Sequence, residues 1–179
     1  MIADDHDMVR TGVRRVLEAE PGLEVVAEAA DGATAARLIR RLRPDVAVLD
    51  IAMPGGSGLE VIRWVAEAGF DTRTVALSIY KNDAYLYQAF TAGARAYVLK
   101  PTLTPNLLDA IRAVCRDEYY LSPKIESPFI RSLVQEMRTA GAPSPGTEKR
   151  PGAGFPRPCV RAPKTRTPKT HTPKTRGNA

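Results

Sequence analysis

The sequence has only two cysteines, Cys115 and Cys159, and they form no C-x-x-C pair. This spacing does not indicate the cysteine-rich scaffold of a small secreted domain or a zinc site. The longest apolar runs fall well short of the roughly 18 residues that a membrane span requires. The first residues also lack the basic and apolar regions of a secretory signal. These absences predict a cytoplasmic protein with no membrane-spanning segment.

Charge is distributed unevenly along the chain. Residues 139–179 contain nine Lys or Arg and one Glu, so they carry +8 and the first 138 residues carry −2 of the net +6. Eight of the 15 prolines lie in the same segment, and a Pro-Lys-Thr repeat fills residues 163–176. Its few apolar residues cannot offset the entropy of ordering it. We therefore expect a folded domain followed by a disordered basic tail.

Strand-like apolar runs alternate with helical periodicity before this tail. That alternation is typical of an α/β protein whose parallel sheet is covered by helices on both faces. The predicted strands are residues 1–3, 24–27, 46–49, 74–77 and 96–99, and the predicted helices lie near residues 9–17, 33–42, 59–65, 83–92 and 105–116. In the second helix, Leu38, Ile39 and Leu42 should face inward, and a further short helix near residues 130–137 has one apolar face. The first strand has three residues where a central strand has about five or six, which suggests a start upstream of Met1.

Four of the predicted strands are followed by residues able to do chemistry. Asp4 and Asp5 follow the first strand, Asp50 the third, Ser78 the fourth and Lys100 the fifth. An isolated Asp or Ser after a strand is usually a helix cap, and an isolated Lys is usually a solvated charge. Parallel strands bring their carboxyl ends to one edge of the sheet, so here the whole set should meet. The inventory suits a hard cation such as Mg²⁺ beside a carboxylate that accepts a phosphoryl group.

Three stretches carry a resemblance to a known family. They are residues 3–12 (ADDHDMVRTG), 45–60 (DVAVLDIAMPGGSGLE) and 92–101 (AGARAYVLKP). In this order they resemble the receiver domain of two-component response regulators, in particular the NarL/FixJ branch with a LuxR-type output. The resemblance implies a doubly wound, five-stranded parallel (βα)₅ sheet of the flavodoxin-like type.

The resemblance also implies roles for individual residues. Asp50 would be the phosphoacceptor, and Asp4, Asp5 and Asp50 would hold Mg²⁺ together with the backbone carbonyl of Ala52. Lys100 would act in catalysis by pairing its ammonium with a phosphoryl oxygen, a charge pair that forms only on phosphorylation.

Further roles concern the switch. Ser78 would assist catalysis and move toward the phosphoryl group, while Tyr97 changes rotamer in step. Pro101 would follow a cis peptide bond. His6 is set aside as an exposed loop residue, because imidazole is a poor ligand for Mg²⁺.

The function that follows is a phosphoacceptor and not an enzyme. A sensor histidine kinase would phosphorylate Asp50 and thereby switch the conformation of the domain. The resemblance also implies homodimer formation on phosphorylation and a family role in transcription regulation. An Mg²⁺-dependent aspartyl-phosphate hydrolase is the alternative, but it needs an acid or base two residues after the nucleophile, where this chain has Ala52. A nucleic-acid binder acting through the basic tail is another alternative.

The predicted organisation departs from the family after the receiver. We expect a receiver domain at 1–118, a linker helix at 119–138 and the disordered tail at 139–179. The tail contains no candidate recognition helix, so sequence-specific DNA binding is not expected. Low-complexity sequence of this composition is what a GC-rich gene encodes out of frame. The hypothesis is a missing or frameshifted helix-turn-helix domain, and its rival is a native basic arm.

Overall fold

A computed structural model describes residues 1–139, and strands and helices alternate along them as the sequence predicted. The strands are β1 (Ile2–Ala3), β2 (Glu28–Ala29), β3 (Val46–Asp50), β4 (Arg73–Ser78), β5 (Ala96–Leu99) and β6 (Tyr120–Leu121). The helices are α1 (Asp7–Glu18), α2 (Gly32–Leu42), α3 (Gly58–Glu67), α4 (Asp83–Thr91), α5 (Leu103–Cys115) and α6 (Pro128–Thr139). Apart from Thr139, the predicted disordered tail lies outside the described residues.

The strands of residues 1–139 form one parallel sheet in the order β2-β1-β3-β4-β5-β6. This order confirms the doubly wound α/β fold. The sheet has one strand more than the five predicted, because the chain after α5 adds β6 beside β5, with Ala96 opposite Tyr120. None of the helices in residues 1–139 combines the length and the hydropathy that a bilayer crossing needs.

Two apolar layers cover the faces of the sheet. Neighbouring residues of β3 point to opposite layers, as the pleat of a strand requires: Leu49 packs with α2, α3 and α4, and Val48 packs with α1 and α5. Ile39 of α2 and Ile62 of α3 are fully buried in the first layer, and Val13 of α1 in the second. β3 and β4 therefore lie at the centre of the domain, with helices on both sides.

The predicted second strand at residues 24–27 was wrong in position. β2 is Glu28–Ala29, because a strand needs a partner and β1 offers only Ile2 and Ala3. Residues 24–27 come before that ladder, although the Ala27 carbonyl accepts a hydrogen bond from the Ile2 amide at 3.1 Å. The inward position expected for Leu42 was also wrong, since this residue ends α2 and is 40% exposed.

Helix α6 packs against α4 on the outside of the first layer. The predicted apolar face consists of Ile130, Leu133, Val134 and Met137, and of these Ile130 and Val134 are buried there. Ser127 caps the helix by accepting from the Ile130 amide, and its hydroxyl donates to Asp83 at 2.9 Å, at the start of α4. The segment predicted as a linker helix is thus part of the packed domain.

Candidate functional site

Four polar side chains lie at the carboxyl ends of β1, β3, β4 and β5, and they are Asp4, Asp50, Ser78 and Lys100. The register places Ala3 beside Leu49, Asp50 beside Leu77 and Ser78 beside Leu99, so the residues that end these strands lie at one edge of the sheet. Asp4 is 0% exposed and Asp50 is 2% exposed. Charged groups are seldom buried to this degree unless they are paired or bind an ion.

Lys100 is the partner of both buried carboxylates. Its Nζ lies 2.7 Å from Oδ2 of Asp50 and 2.8 Å from Oδ2 of Asp4. The sequence predicted that this ammonium forms its charge pair only with a phosphoryl oxygen, and that expectation was wrong. Two nearby negative charges in a buried crevice attract the Lys100 ammonium, which the fold places beside them. Lys100 therefore neutralises part of the site before any phosphoryl group arrives.

The electrostatics of this cluster follow from burial and from these contacts. Burial raises the pKa of Asp50, while the hydrogen bonds from Lys100 and from the Ala52 amide partly oppose that rise. For Lys100, burial is the largest single influence and would lower the pKa, but hydrogen bonds to Asp4 and Asp50 raise it overall. Lys100 consequently holds its proton more strongly than an ordinary lysine, and Asp50 is a more basic carboxylate than usual.

The acidic residues offer a set of oxygen donors that fits Mg²⁺. Ligand atoms of Asp4, Asp5 and Asp50 lie, together with one of His6, within 4.8 Å of one another. Three carboxylates facing one ammonium leave a negative excess, and Mg²⁺ prefers carboxylate, carbonyl and water oxygens. Ala52 lies two residues after Asp50, in the loop that follows β3, and its amide donates to Oδ1 of Asp50 at 3.2 Å. Its carbonyl remains a predicted ligand.

His6 joins this cluster, although sequence reasoning set it aside. Its Nδ1 lies 2.8 Å from Oδ1 of Asp5 and 3.3 Å from Oδ1 of Asp4. Its backbone amide also donates to Oδ1 of Asp4 at 2.9 Å, which fixes the turn that presents the ring. The position was correctly expected to be exposed, but no feature of the sequence showed that the ring folds back onto the carboxylates.

Ser78 and Tyr97 meet at a third residue that the sequence did not single out. The hydroxyl of Ser78 accepts a hydrogen bond from the Tyr80 amide at 2.9 Å, and the phenol of Tyr97 donates to the Tyr80 carbonyl at 2.8 Å. Burial raises the pKa of the Tyr97 phenol to about 12. Tyr80 also stacks on Tyr85 of α4, with ring centroids 4.5 Å apart. A movement of the loop that follows Ser78 would therefore alter contacts with both β5 and α4.

Close backbone packing fixes the loop between β3 and α3. A Cβ on Gly58 would lie 1.9 Å from the carbonyl oxygen of Asp50, so only glycine fits at the start of α3. Ser57 and Glu60 form a reciprocal capping box at the same helix end. On the other side, the amides of Gly32 and Ala33 at the start of α2 donate to carbonyls of this loop. The loop that follows Asp50 is thus held from two sides.

The cis peptide bond expected before Pro101 is not present, and residues 1–139 contain no cis peptide bond. Lys100, Pro101 and Thr102 instead form one turn of 3₁₀ helix that leads into α5. Proline is accommodated at the start of such a turn with a trans bond, which is also the lower-energy isomer. The direction of Lys100 is set by its two carboxylate partners.

Comparisons with known proteins place this geometry among regulators. The model of the family described as "Response regulator receiver domain" matches residues 1–112. The chain is 36% identical over 141 residues to the transcriptional regulatory protein LiaR of Bacillus subtilis, covering 79% of this chain and 65% of that protein. It is also 36% identical over 140 residues to the oxygen regulatory protein NreC of Staphylococcus epidermidis, covering 78% and 64%. The chain thus spans slightly less than two thirds of the length of these relatives.

A solved structure shows the same likeness. The chain is 37% identical to a two-component response regulator of the LuxR family from a species of Aurantimonas, with a TM-score of 0.65. The match covers 78% of this chain and 96% of that one.

Proposed function

The chain belongs to the response regulator receiver domain family, and on that premise we propose that Asp50 accepts a phosphoryl group from a sensor histidine kinase with Mg²⁺ bound at the adjoining carboxylates. The observation that carries this proposal is the pair of buried carboxylates, Asp4 and Asp50, in contact with the Lys100 ammonium at the carboxyl end of the sheet.

The transfer step follows from the positions of these groups. An oxygen of Asp50 attacks phosphorus, the bond to the donor nitrogen breaks as the new P–O bond forms, and the departing imidazole takes up a proton. The raised pKa of Asp50 makes its ionised oxygen a better nucleophile. Asp4, Asp5, Asp50 and the Ala52 carbonyl would hold Mg²⁺. When bound there, the ion would neutralise charge on the phosphoryl oxygens.

Lys100 would then exchange one partner for another. In the structure its ammonium binds Oδ2 of Asp50, and phosphorylation of this carboxylate would convert it into an acyl phosphate, a mixed anhydride. The new phosphoryl oxygens offer a stronger negative partner at the same place, so Lys100 would move from carboxylate to phosphoryl group. Ser78 would turn its hydroxyl toward the phosphoryl group. Its present hydrogen bond, which it accepts from the Tyr80 amide, would then break.

Two features favour a switch over a hydrolase. Ala52, two residues after Asp50, carries only a methyl group, so it offers neither an acid nor a base for hydrolysis. The link from Ser78 through the Tyr80 backbone to Tyr97 gives the phosphoryl group a route to α4 and β5. The added charge of about −1.5 to −2 would bias these contacts.

The wider role rests on the relatives. LiaR is described as a transcriptional regulatory protein, and we propose that this chain likewise belongs to a pathway that regulates transcription. We further propose that it acts in the cytoplasm and that its phosphorylated form is a homodimer. We do not propose sequence-specific DNA contact by residues 1–139. The basic-tail alternative concerns residues that lie outside those described.

Acetyl phosphate provides the test. The protein should gain the mass of one phosphoryl group in Mg²⁺ and very little in EDTA, and Asp50→Asn should abolish the gain. Asp45→Asn is the matched control, because Asp45 precedes the same strand at its opposite, exposed end. Equal labelling of Asp50→Asn and the wild-type protein would show that another residue is the acceptor.

A further inference from the structure

Arg10, in the first half of α1, is an arginine whose side chain is largely buried. Only 15% of it is exposed, whereas the side chain of Arg14, one turn further along the same helix, is 45% exposed. Arginine is seldom covered to this extent unless its guanidinium is paired. The partners of Arg10 lie beside the acidic crevice, and the arginine itself is not one of the groups assigned to Mg²⁺ or to the phosphoryl group.

The guanidinium of Arg10 joins three elements of the domain. Its Nη1 donates to the backbone carbonyl of Asp4, just after β1, at 2.6 Å, and its Nη2 pairs with Asp7 at the start of α1. Its Nε lies 3.7 Å from Oε2 of Glu28 in β2. The planar fork of a guanidinium holds such a set of acceptors in fixed directions, which a single ammonium cannot do.

The bond to the Asp4 carbonyl fixes the peptide that joins Asp4 to Asp5. A peptide unit is planar, so the direction of this carbonyl also sets the direction in which the chain continues to Asp5. The amide of Asp4 donates to the Ala29 carbonyl at 3.2 Å, and Oδ1 of its side chain accepts from the His6 amide at 2.9 Å. Together with the bond from Arg10, these contacts hold the amide, the carbonyl and the side chain of Asp4.

Asp5 depends on this peptide more than Asp4 does. Its side chain lies at the rim of the crevice and is 32% exposed, so less packing holds it, and its direction follows from the backbone that carries it. Without the guanidinium, the buried Asp4 carbonyl would lose a donor, and the peptide would be free to turn toward another one. The two carboxylates would then no longer keep the strict geometry that Mg²⁺ demands.

We propose that Arg10 is a positioning residue for the Mg²⁺ site: its guanidinium orients the Asp4–Asp5 peptide so that both carboxylates face one ion. This role rests on the proposed function, since it concerns the ion that phosphorylation of Asp50 requires. Hydrogen bonds that orient metal ligands from behind are commonly worth about 10- to 100-fold in metal affinity.

The sign of the change in affinity separates this role from two simpler ones. Arg10 is a cation near the metal site, so through charge alone its removal would make Mg²⁺ bind more tightly. If Arg10 only anchored α1, its removal would lower the stability of the fold and leave the Mg²⁺ affinity unchanged. Of the three roles, positioning alone predicts weaker binding.

Calorimetric titration of Mg²⁺ into the full chain measures this affinity in the wild-type protein, Arg10→Gln and Arg10→Lys, with urea unfolding as the check that each is folded. Arg10→Gln should bind Mg²⁺ about tenfold more weakly. Arg10→Lys keeps the charge and one donor group, so it should recover part of this loss and still bind more weakly than the wild-type protein. If Arg10→Gln does not fold, Arg10→Lys carries the test.

Arg14→Gln is the matched control. In residues 1–139, Arg14 pairs with Glu18 and with the same Glu28, and it makes no ion pair or hydrogen bond with Asp4. The substitution removes an exposed charge that salt screens, so Mg²⁺ affinity should stay within about twofold of the wild-type value.

Two further readings locate the effect. In labelling with acetyl phosphate, the Mg²⁺ concentration for half-maximal labelling should rise in Arg10→Gln by the same factor as the calorimetric dissociation constant, while the rate at saturating Mg²⁺ stays near that of the wild-type protein. In EDTA, where no ion is bound, the His6 amide should exchange its hydrogen faster in Arg10→Gln, because its acceptor Asp4 is held less firmly. Arg14→Gln should show neither change.

The outcomes distinguish this inference from the proposed function. Arg10→Gln with an unchanged or higher Mg²⁺ affinity, with an unchanged exchange rate at His6, or with a loss that Arg14→Gln shares would overturn the role of Arg10 and leave the phosphoacceptor role intact. If the wild-type protein neither binds Mg²⁺ nor is labelled, the proposed function fails, and the role of Arg10 toward the ion fails with it.

Discussion

Replacing Lys100 with alanine is the sharpest test of the charge arrangement. The substitution leaves two carboxylates that are almost fully buried without the ammonium now 2.7 and 2.8 Å away. Without Mg²⁺ they repel each other, and among residues 1–139 no other Lys or Arg forms an ion pair with either carboxylate. The folded state should therefore be destabilised even though no phosphoryl group is present.

The size of the effect follows from the burial of the partners. Removing one member of a buried ion pair usually costs about 3–5 kcal/mol. Lys100 is 13% exposed at its side chain, so water can enter the space it leaves. We therefore expect a loss of about 2–3 kcal/mol in the free energy of unfolding, somewhat below that range. For a domain of this size the melting temperature should fall by about 6–12 °C.

Urea unfolding followed by circular dichroism, with and without Mg²⁺, measures this change. Saturating Mg²⁺ should narrow the gap between Lys100→Ala and the wild-type protein, because the ion neutralises the same carboxylates. Lys81→Ala is the control, since Lys81 is exposed in the loop before α4. If Lys100→Ala in EDTA unfolds within about 0.5 kcal/mol of the wild-type protein, as an ordinary surface substitution does, the reasoning is refuted.

Three further predictions concern Asp50, the α3 start and the tail. Burial raises the pKa of Asp50 above its usual 3.8, so ionisation of this carboxyl destabilises the folded state. Asp50→Asn should therefore increase the free energy of unfolding of the Mg²⁺-free protein at neutral pH. This increase should become smaller as the pH falls toward 3.8. Urea unfolding across this pH range checks the sign, and a gain that does not vary with pH would contradict it. Gly58→Ala should cost about 2–3 kcal/mol and slow labelling, because its Cβ meets the Asp50 carbonyl, whereas Gly12→Ala in α1, which has open space, should be neutral or stabilising by up to about 1 kcal/mol. In a duplex titration at physiological salt, the full chain should discriminate operator-like from scrambled DNA by less than about tenfold and lose binding steeply with salt; stronger discrimination that survives deletion of residues 140–179 would reveal an unrecognised DNA-binding surface.

Much of the fold could be predicted because its central strands are nearly all apolar. Residues 46–49 and 96–99 form buried runs that end in a charged residue, and both became strands within one residue of the predicted bounds. β2 was misplaced because its position depends on the length of its neighbour and not on its own sequence. β6 has two residues and becomes a strand only by lying next to β5, so it carries no period that a sequence pattern could detect.

The site was predictable in its composition and less so in its contacts. The strand ends predicted which residues would meet, since parallel strands share an edge. The double pairing of Lys100 depends on how deeply Asp4 and Asp50 are buried, and the sequence does not give that depth. The hydrogen bonds at Tyr80 involve backbone atoms, which every residue has, so no side-chain pattern could have revealed them.

The position of α6 has a consequence for how other molecules reach α4. The family match ends at residue 112, yet Tyr119, Ile125, Ile130 and Val134 are buried beyond it. We therefore propose that the cooperative folding unit extends through Thr139 and that cutting the chain after residue 118 leaves an apolar groove along α4. Burial of each large aliphatic side chain in that groove contributes about 1.5–3 kcal/mol.

Helix α6 therefore occupies the face of α4 as an intramolecular ligand. A short tether gives such a segment an effective concentration on the order of millimolar next to its binding face. A second copy of the chain, or any other protein that uses the same face of α4, must compete with that local concentration. Phosphorylation that loosens the Ser127–Asp83 bond or the Tyr87–Phe129 stacking would lower the barrier to such a partner without creating any new contact.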